Sequence, residues 1–205
     1  MIKIYWAPRT RSFTTLWMME ETGQPYERVL IDIRQGDQKR PGFAAINPLR
    51  KVPALEDGDV HVAESAAICT YLADKFPGAG LAPRLDDRLR GRYLQWMFFA
   101  AGNMEPAFFQ AAMNLEVPEA QAGWGSFDRC MGVIEGAVSQ DNWLLGERFS
   151  AADVLVATSL YYGMKIMGVV PERPAFLAYI SRAAARPAFQ RAQMIDNGAI
   201  DNGAA

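Results

Sequence analysis

Apolar and polar positions divide the chain into two halves of different rhythm. In the first, short runs suited to strands alternate with helical spacing. Ile2 to Trp6 reads as a strand ended by Ala7-Pro8, and Arg9-Thr10-Arg11 as a polar loop. Phe13, Leu16, Trp17 and Glu20 then mark one helical face, with Ser12 a candidate N-cap and Gly23 a stop before Pro25. Tyr26 to Ile33 alternates, setting Val29, Ile31 and Ile33 against Arg28, Leu30 and Asp32. It predicts a second strand, parallel to the first through a helical crossover. A charged stretch from Arg34 to Pro41 and a helical turn over Gly42 to Ile46 lead onward.

The stretch Asn47 to Leu72 organises the rest of the chain. Val52-Pro53-Ala54-Leu55 opens a strand, the polar turn Glu56-Asp57-Gly58-Asp59 reverses the chain, and Val60 to Ala63 returns. Proline at the strand entrance donates nothing to the ladder and keeps Val52 extended; its bond to Val52 can take either isomer. Glu64-Ser65 then opens a helix from Ser65 to about Phe76, stopped by Pro77-Gly78, with Ser65 the expected N-cap. The unpaired amides and positive dipole end of such a helix favour a carboxylate or phosphate.

Past a connector at residues 78–85, no strand pattern recurs. Leu85, Leu89, Tyr93, Trp96 and Ala100 form one helical stripe, and Trp124, Phe127, Met131, Ile134 and Val138 another. Ser150 and Asp153 have capping-box spacing behind Phe149, ahead of a nearly all-apolar helix reaching Tyr162 or Met167. Pro171 to Arg182 and Pro187 to Ile195 read as two more helices, and Asp196 to Ala205 as a frayed tail. The expected fold class is therefore α/β plus all-α. Residues 1–77 form the first domain and residues 86–205 the helical one.

Composition narrows the function classes. Half of the 205 residues are hydrophobic, and the formal net charge is −2, with no long basic run. A substantial core is available, and binding to nucleic acid or an anionic membrane by bulk electrostatics is disfavoured. No apolar run approaches membrane-spanning length, and Met1 leads straight into the first strand, so the cytosol is the expected compartment. Cys69 and Cys130 lie far apart in helical patterns and read as buried free thiols. His61, the only histidine, has no companion ligands at metal spacing, and no metal site is expected.

The order N-P-x-x-K-V-P-A-L, a hairpin, then E-S-x-A-I-x-x-Y-L resembles the glutathione-binding half of the cytosolic glutathione transferases. The run W-x-x-G-x-x-F-S-x-A-D at Trp143 to Asp153 resembles the signature of their second domain. The resemblance covers roughly residues 1 to 195. It implies a thioredoxin-like N-terminal domain, an all-helical C-terminal domain and a homodimer. It implies glutathione as co-substrate, with Val52 beside a cis-Pro53 pairing with its cysteinyl part and Glu64 and Ser65 holding its γ-glutamyl end. Lys51 and Lys39 fall near places where the family often has a basic group for the glycine carboxylate. Asp153 is implied to be structural.

A thiol of pKa about 8.5 is only a few per cent ionised at neutral pH, and lowering that value by two units takes roughly 2.7 kcal/mol of preference for the anion. Donors placed between the first strand and first helix would supply it. The candidates are Thr10, Ser12 with the local amides, and Tyr5 at the strand end. Matched back from Glu20-Glu21, Thr10 stands where serine-type members have their serine, and Tyr5 where tyrosine-type members have their tyrosine. Arg11 stands at the cysteine of cysteine-type members. A mixed disulfide there is excluded, and Arg11 becomes a source of positive field.

Addition of the thiolate to a small hydrophobic electrophile is the implied reaction, with Tyr93 to Met104 and Tyr161 as an apolar wall. Two alternatives stay open: a non-catalytic binding protein on the same fold, motivated by the unusual Thr10-Arg11 loop, and glutathione-dependent peroxidase or disulfide reductase chemistry with the same thiolate.

Overall fold

The computed structural model describes residues 1–201 in backbone, and side chains to residue 198. The chain forms two compact units. One comprises residues 1–79 together with the stretch from Ala185 onward, the other Gly80–Ala184.

In the first unit β1 (Ile2–Trp6), α1 (Phe13–Thr22) and β2 (Tyr26–Leu30) make a crossover. Then come α2 (Pro41–Ile46), the hairpin β3 (Ala54–Asp57) and β4 (Val60–Ala63), and α3 (Ser65–Lys75). The four strands lie in the order β2-β1-β3-β4. β1 runs parallel to β2 and antiparallel to β3, so the sheet changes sense beside its first strand. Ile2, Ile4 and Trp6 are buried and alternate with half-buried Lys3 and Tyr5. Tyr5 packs with Ile31, Phe43, Ile46, Val52 and Ala54.

Local departures from the expected elements have local causes. β2 stops at Leu30 because Asp32 turns the chain, accepting the amides of Arg34 (2.9 Å) and Gln35 (3.0 Å); Ile33 is consequently exposed. β3 begins at Ala54, after a proline without an N–H. Asp57 pairs with Val60, which reduces the hairpin loop to Gly58 and Asp59, with Gly58 taking the φ of +61°. Tyr71 and Lys75 of α3 both reach the Asp57 carboxylate and fasten the hairpin to the helix.

The expectation of a frayed tail from Asp196 is corrected. Helix α9 (Pro187–Asp201) carries straight through that residue, and the rest of the tail, residues 202–205, lies outside the described residues. By its contacts α9 groups with the first unit, where it packs on α1. The Phe189 ring sits edge-on to both Phe13 and Trp17, at centroid distances of 5.2 and 5.1 Å. Arg186 grips Glu21 with two bonds of 2.6 and 2.7 Å, and Arg191 meets Glu20 at 2.8 Å. The available signals are Glu20 and Glu21 on one helix and two arginines on another, a charge match that sequence distance conceals.

The second unit contains α4 (Arg90–Phe99), α5 (Glu105–Ala112), α6 (Phe127–Gln140), α7 (Ala151–Tyr161) and α8 (Pro174–Ala184). Widened π turns follow α4 at Ala100–Met104 and α7 at Tyr162–Ile166. Leu85, expected on the α4 stripe, lies ahead of the helix and is 84% exposed, while Tyr93, Trp96 and Ala100 are buried as core. Trp124 likewise precedes its helix and donates to Gln110 at 2.8 Å. The α7 capping box forms: Asp153 accepts the Ser150 amide at 2.9 Å. The same carboxylate accepts the Leu144 amide (2.9 Å) and the Tyr179 hydroxyl (2.8 Å), so it is wholly occupied in holding a core helix. Among the described residues no helix is long and apolar enough to cross a membrane.

Two glycine substitutions in this unit should move stability in opposite directions. A Cβ at Gly163 would stand 2.6 Å from Val170 Cγ2 and 2.8 Å from Phe108 Cε2. Gly163→Ala should therefore cost about 1–3 kcal/mol through overpacking. Gly136, inside α6 with nothing within 4 Å of its added Cβ, should gain about 0.5–1 kcal/mol as alanine. Urea unfolding of the two variants reads both.

Candidate functional site

Register assembles the site. Tyr5 pairs with Ala54, and Ala54 with Ala63, in one row across the sheet. Adjacent strands are about 4.8 Å apart, so the chain leaving β1, the chain entering β3 and the chain leaving β4 emerge side by side. Those exits carry Thr10 to Ser12, Val52-Pro53 and Glu64-Ser65. Trp6 also pairs with Leu30, which brings the loop after β2, with Lys39, out at the same end. This end lies at the carboxyl ends of the parallel strands β1 and β2, where open α/β sheets usually place their ligands.

The first exit is knotted at Ala7. The Ala7 amide donates to Ser12 Oγ at 3.0 Å, and that oxygen lies 3.0 Å from the Ala7 carbonyl as a donor. Ser12 is 0% exposed and makes no side-chain cap, so its expected capping role is corrected: the hydroxyl points back to the strand instead of forward along α1. Thr10 Oγ1 donates to the same carbonyl at 2.8 Å, accepts the Ser12 amide at 3.2 Å and lies 2.7 Å from Ser12 Oγ. Thr10 is half-buried, so of the two residues it is the one with exposed surface. Either hydroxyl can satisfy the Ala7 carbonyl. Thr10 can turn its proton toward a ligand while Ser12 keeps the carbonyl paired.

At the second exit the Val52-Pro53 bond is cis. Buried Asn47, absent from the candidates that sequence patterns provide, folds the preceding loop. Its side-chain amide donates to the Lys51 carbonyl at 2.7 Å, and its oxygen accepts the Leu49 amide at 3.0 Å. The Asn-Pro pair at 47–48 is the available signal. The Val52 amide and carbonyl have no protein hydrogen bond among the described residues.

At the third exit Glu64, not Ser65, is the N-cap of α3; Ser65 is the first helical residue and no side chain caps the helix. The amides of Ser65, Ala66 and Ala67 therefore precede the first helical bond, Ile68 to Glu64, and stay available to an acceptor. Glu64 holds φ +69° and ψ 122°, a conformation unfavourable for a side-chain-bearing residue.

The remaining candidates have the following surroundings. Tyr5 donates to Glu56 Oε2 at 2.8 Å, and Glu56 also pairs with Lys3 at 2.7 Å. Burial first, then the Glu56 bond and charge, push the Tyr5 hydroxyl up to about 12. Arg11, Lys39, Lys51 and His61 are exposed. Both cysteines are buried, and burial pushes Cys130 up to about 12 and Cys69 higher still. Neither is a nucleophile at neutral pH. Among the described residues no group of three or more His, Cys, Asp or Glu side chains is arranged to hold a metal.

Comparison with known proteins matches the chain to glutathione S-transferases. Residues 2–74 match the glutathione S-transferase N-terminal domain, and residues 94–187 its C-terminal domain. The chain is 30% identical over 167 residues to the disulfide-bond oxidoreductase YfcG of Escherichia coli, covering 75% of this chain and 76% of that protein. It is 30% identical over 192 residues to mouse (Mus musculus) glutathione S-transferase theta-3, covering 86% and 80%. A glutathione transferase homologue from Sulfitobacter, solved with bound glutathione, superposes with a TM-score of 0.77 at 25% identity, covering 97% of this chain and 98% of that one.

The Ala7 knot has a measurable consequence for stability. Ser12→Ala strips a buried amide of its acceptor and should cost about 1–3 kcal/mol in chemical denaturation.

Proposed function

The chain belongs to the glutathione transferase family, matched over both its domains, and from that we propose that it binds glutathione at the end of the sheet and ionises its thiol for addition to small hydrophobic electrophiles. The observation that carries this reading is the register that gathers three sets of polar groups at one sheet end: the Thr10 hydroxyl, whose proton can be exchanged with that of Ser12 on the Ala7 carbonyl, the Val52 backbone and the open amides of α3.

Each set suits one part of the tripeptide. The extended Val52 backbone offers an amide and a carbonyl to the cysteinyl residue, as one strand edge does to another. The α3 amides and the Ser65 hydroxyl suit the γ-glutamyl carboxylate, with the helix dipole adding to them. Glu64 is an exposed anion suited to the adjacent ammonium. Lys51, and more weakly Lys39, suit the glycine carboxylate.

Thr10 is the proposed thiolate donor. Its proton turns from the Ala7 carbonyl to sulfur, Ser12 takes over the carbonyl, and the thiol proton leaves to water. Arg11 adds a positive field. Tyr5 is set aside because its proton is engaged by a carboxylate that favours keeping it. The chain's own thiols are buried, so the nucleophile is the co-substrate's. Of the apolar wall expected from Tyr93 to Met104 and Tyr161, Tyr93, Trp96 and Met104 are buried as core, while Phe98 and Tyr161 are exposed. A homodimer in the cytosol completes the reading; sedimentation of the purified protein tests the dimer.

Similarity to a disulfide-bond oxidoreductase supports a second reading, in which the same thiolate attacks a disulfide sulfur. Rates against an electrophile panel and a disulfide panel separate the two.

Thr10→Ala should lower kcat for the preferred acceptor about 10- to 100-fold, Thr10→Ser should retain most of it, and Tyr5→Phe should change it little. A Thr10→Ala variant at the full rate would remove Thr10 from the chemistry. Absence of calorimetric heat with glutathione would remove the whole reading.

A further inference from the structure

Helix α9 presents a buried stripe at four-residue spacing: Ala188, Ala192 and Asp196, which are 5%, 0% and 5% exposed. Helical periodicity calls for a third apolar residue at the last of these places. The chain puts a carboxylate there, and only half of it is used. Asp196 Oδ2 accepts the Arg9 amide at 3.3 Å, while Oδ1 is buried with no hydrogen-bond partner among the described residues. Burial pushes this carboxyl's pKa up, and the Arg9 amide and charge pull it back. An acid retained under such conditions needs a reason beyond docking a helix, which an apolar residue would do better.

Arg9 supplies that reason. It holds φ +56°, in the left-handed region that disfavours a side-chain-bearing residue, and it immediately precedes Thr10. The rest of α9 fixes where the carboxylate arrives. The Arg186–Glu21 and Arg191–Glu20 pairs, with Phe189 against Phe13 and Trp17, set the helix on α1 upstream of Asp196. We propose that Asp196 is a positioning residue: by accepting the Arg9 amide it holds the left-handed turn that orients the Thr10 hydroxyl toward the glutathione sulfur. Seating of the C-terminal helix is thereby a condition of thiolate formation. The proposal rests on Thr10 being the thiolate donor.

Asp196→Leu tests it, because leucine completes the apolar stripe while removing the acceptor. The wild type, Asp196→Leu and Asp196→Asn are compared by unfolding, steady-state kinetics with a chlorodinitrobenzene, the ultraviolet absorbance of bound thiolate, and amide exchange at Arg9 without ligand. In the leucine variant stability should hold or rise, the Arg9 amide should lose protection, and the thiolate band should shrink. Its kcat should fall about tenfold, with KM for glutathione within about twofold. Asparagine keeps an acceptor oxygen and should restore most of the rate. Should leucine overpack the site, Asp196→Ala carries the same expectations.

A folded leucine or alanine variant with wild-type kcat and thiolate band overturns the proposal, as does unchanged Arg9 protection. Wild-type protein that binds no glutathione overturns instead the reading of the site. In that case the exchange measurement, which needs no ligand, still decides whether Asp196 holds Arg9.

Discussion

A buried peptide unit at the end of the first strand sets the conditions for the rest of the site. Beyond Trp6 the chain leaves the sheet, and the amide and carbonyl of Ala7, which is fully buried, lose the ladder that would have paired them. A buried, unpaired peptide group costs about 1–3 kcal/mol, so both must be met locally. Ser12 meets the amide, and Ser12 and Thr10 both reach the carbonyl. That requirement brings the loop back on itself within five residues and starts α1 at Phe13. It also leaves one hydroxyl proton more than the carbonyl needs. Structural satisfaction and the proposed chemistry draw on the same two side chains, and of these Thr10 is the residue with exposed surface.

Threonine at this position differs from serine in a way that suits the arrangement. Its β-branch restricts χ1, so the hydroxyl loses less freedom when it is held for a ligand. Its Oγ1 also accepts the Ser12 amide, which polarises the hydroxyl toward donation. Tyr5 illustrates the opposite case. It lies in the same strand with a phenol of suitable length, yet Glu56 takes its proton and raises the cost of ionising it. Lys3 directly across the pair from Glu56 keeps that carboxylate charged and the phenol engaged.

Periodicity carries the element order through α3, and the Val-Pro and Glu-Ser motifs mark two of the three exits. Their juxtaposition is not legible, because it depends on register: only the Tyr5, Ala54 and Ala63 row brings residues 10, 52 and 65 out together. The roles of single polar residues mislead where a local rule competes with a tertiary partner. Ser12 obeys the composition rule for an N-cap, yet its hydroxyl serves Ala7, whose burial no local pattern announces. Asp196 sits among Asn, Gly and Ala, a composition that reads as tail, while the contacts that keep it helical come from α1, more than a hundred residues earlier. Asn47 is visible as half of an Asn-Pro pair, but its grip on Lys51 emerges only in three dimensions.

The exposed cations near the sheet end invite an electrostatic account of the thiolate, and magnitudes argue against it as the leading effect. Arg11, Lys39 and Lys51 are all exposed. Pairs involving such charges contribute about 0–1 kcal/mol, and at physiological salt their fields fade over about 8 Å. Shifting a thiol by two units takes roughly 2.7 kcal/mol. A hydrogen bond donated to an ionised partner contributes about 1.5–3 kcal/mol, and more of it survives where water is excluded. In the proposed reading one well-aimed hydroxyl outweighs the three surface cations, and their proposed part is to attract an anionic tripeptide to that end of the sheet. If Thr10 is the donor, as proposed, orientation of that hydroxyl is the quantity the fold must control, and the adjacent left-handed turn at Arg9 is the backbone feature that bears on it.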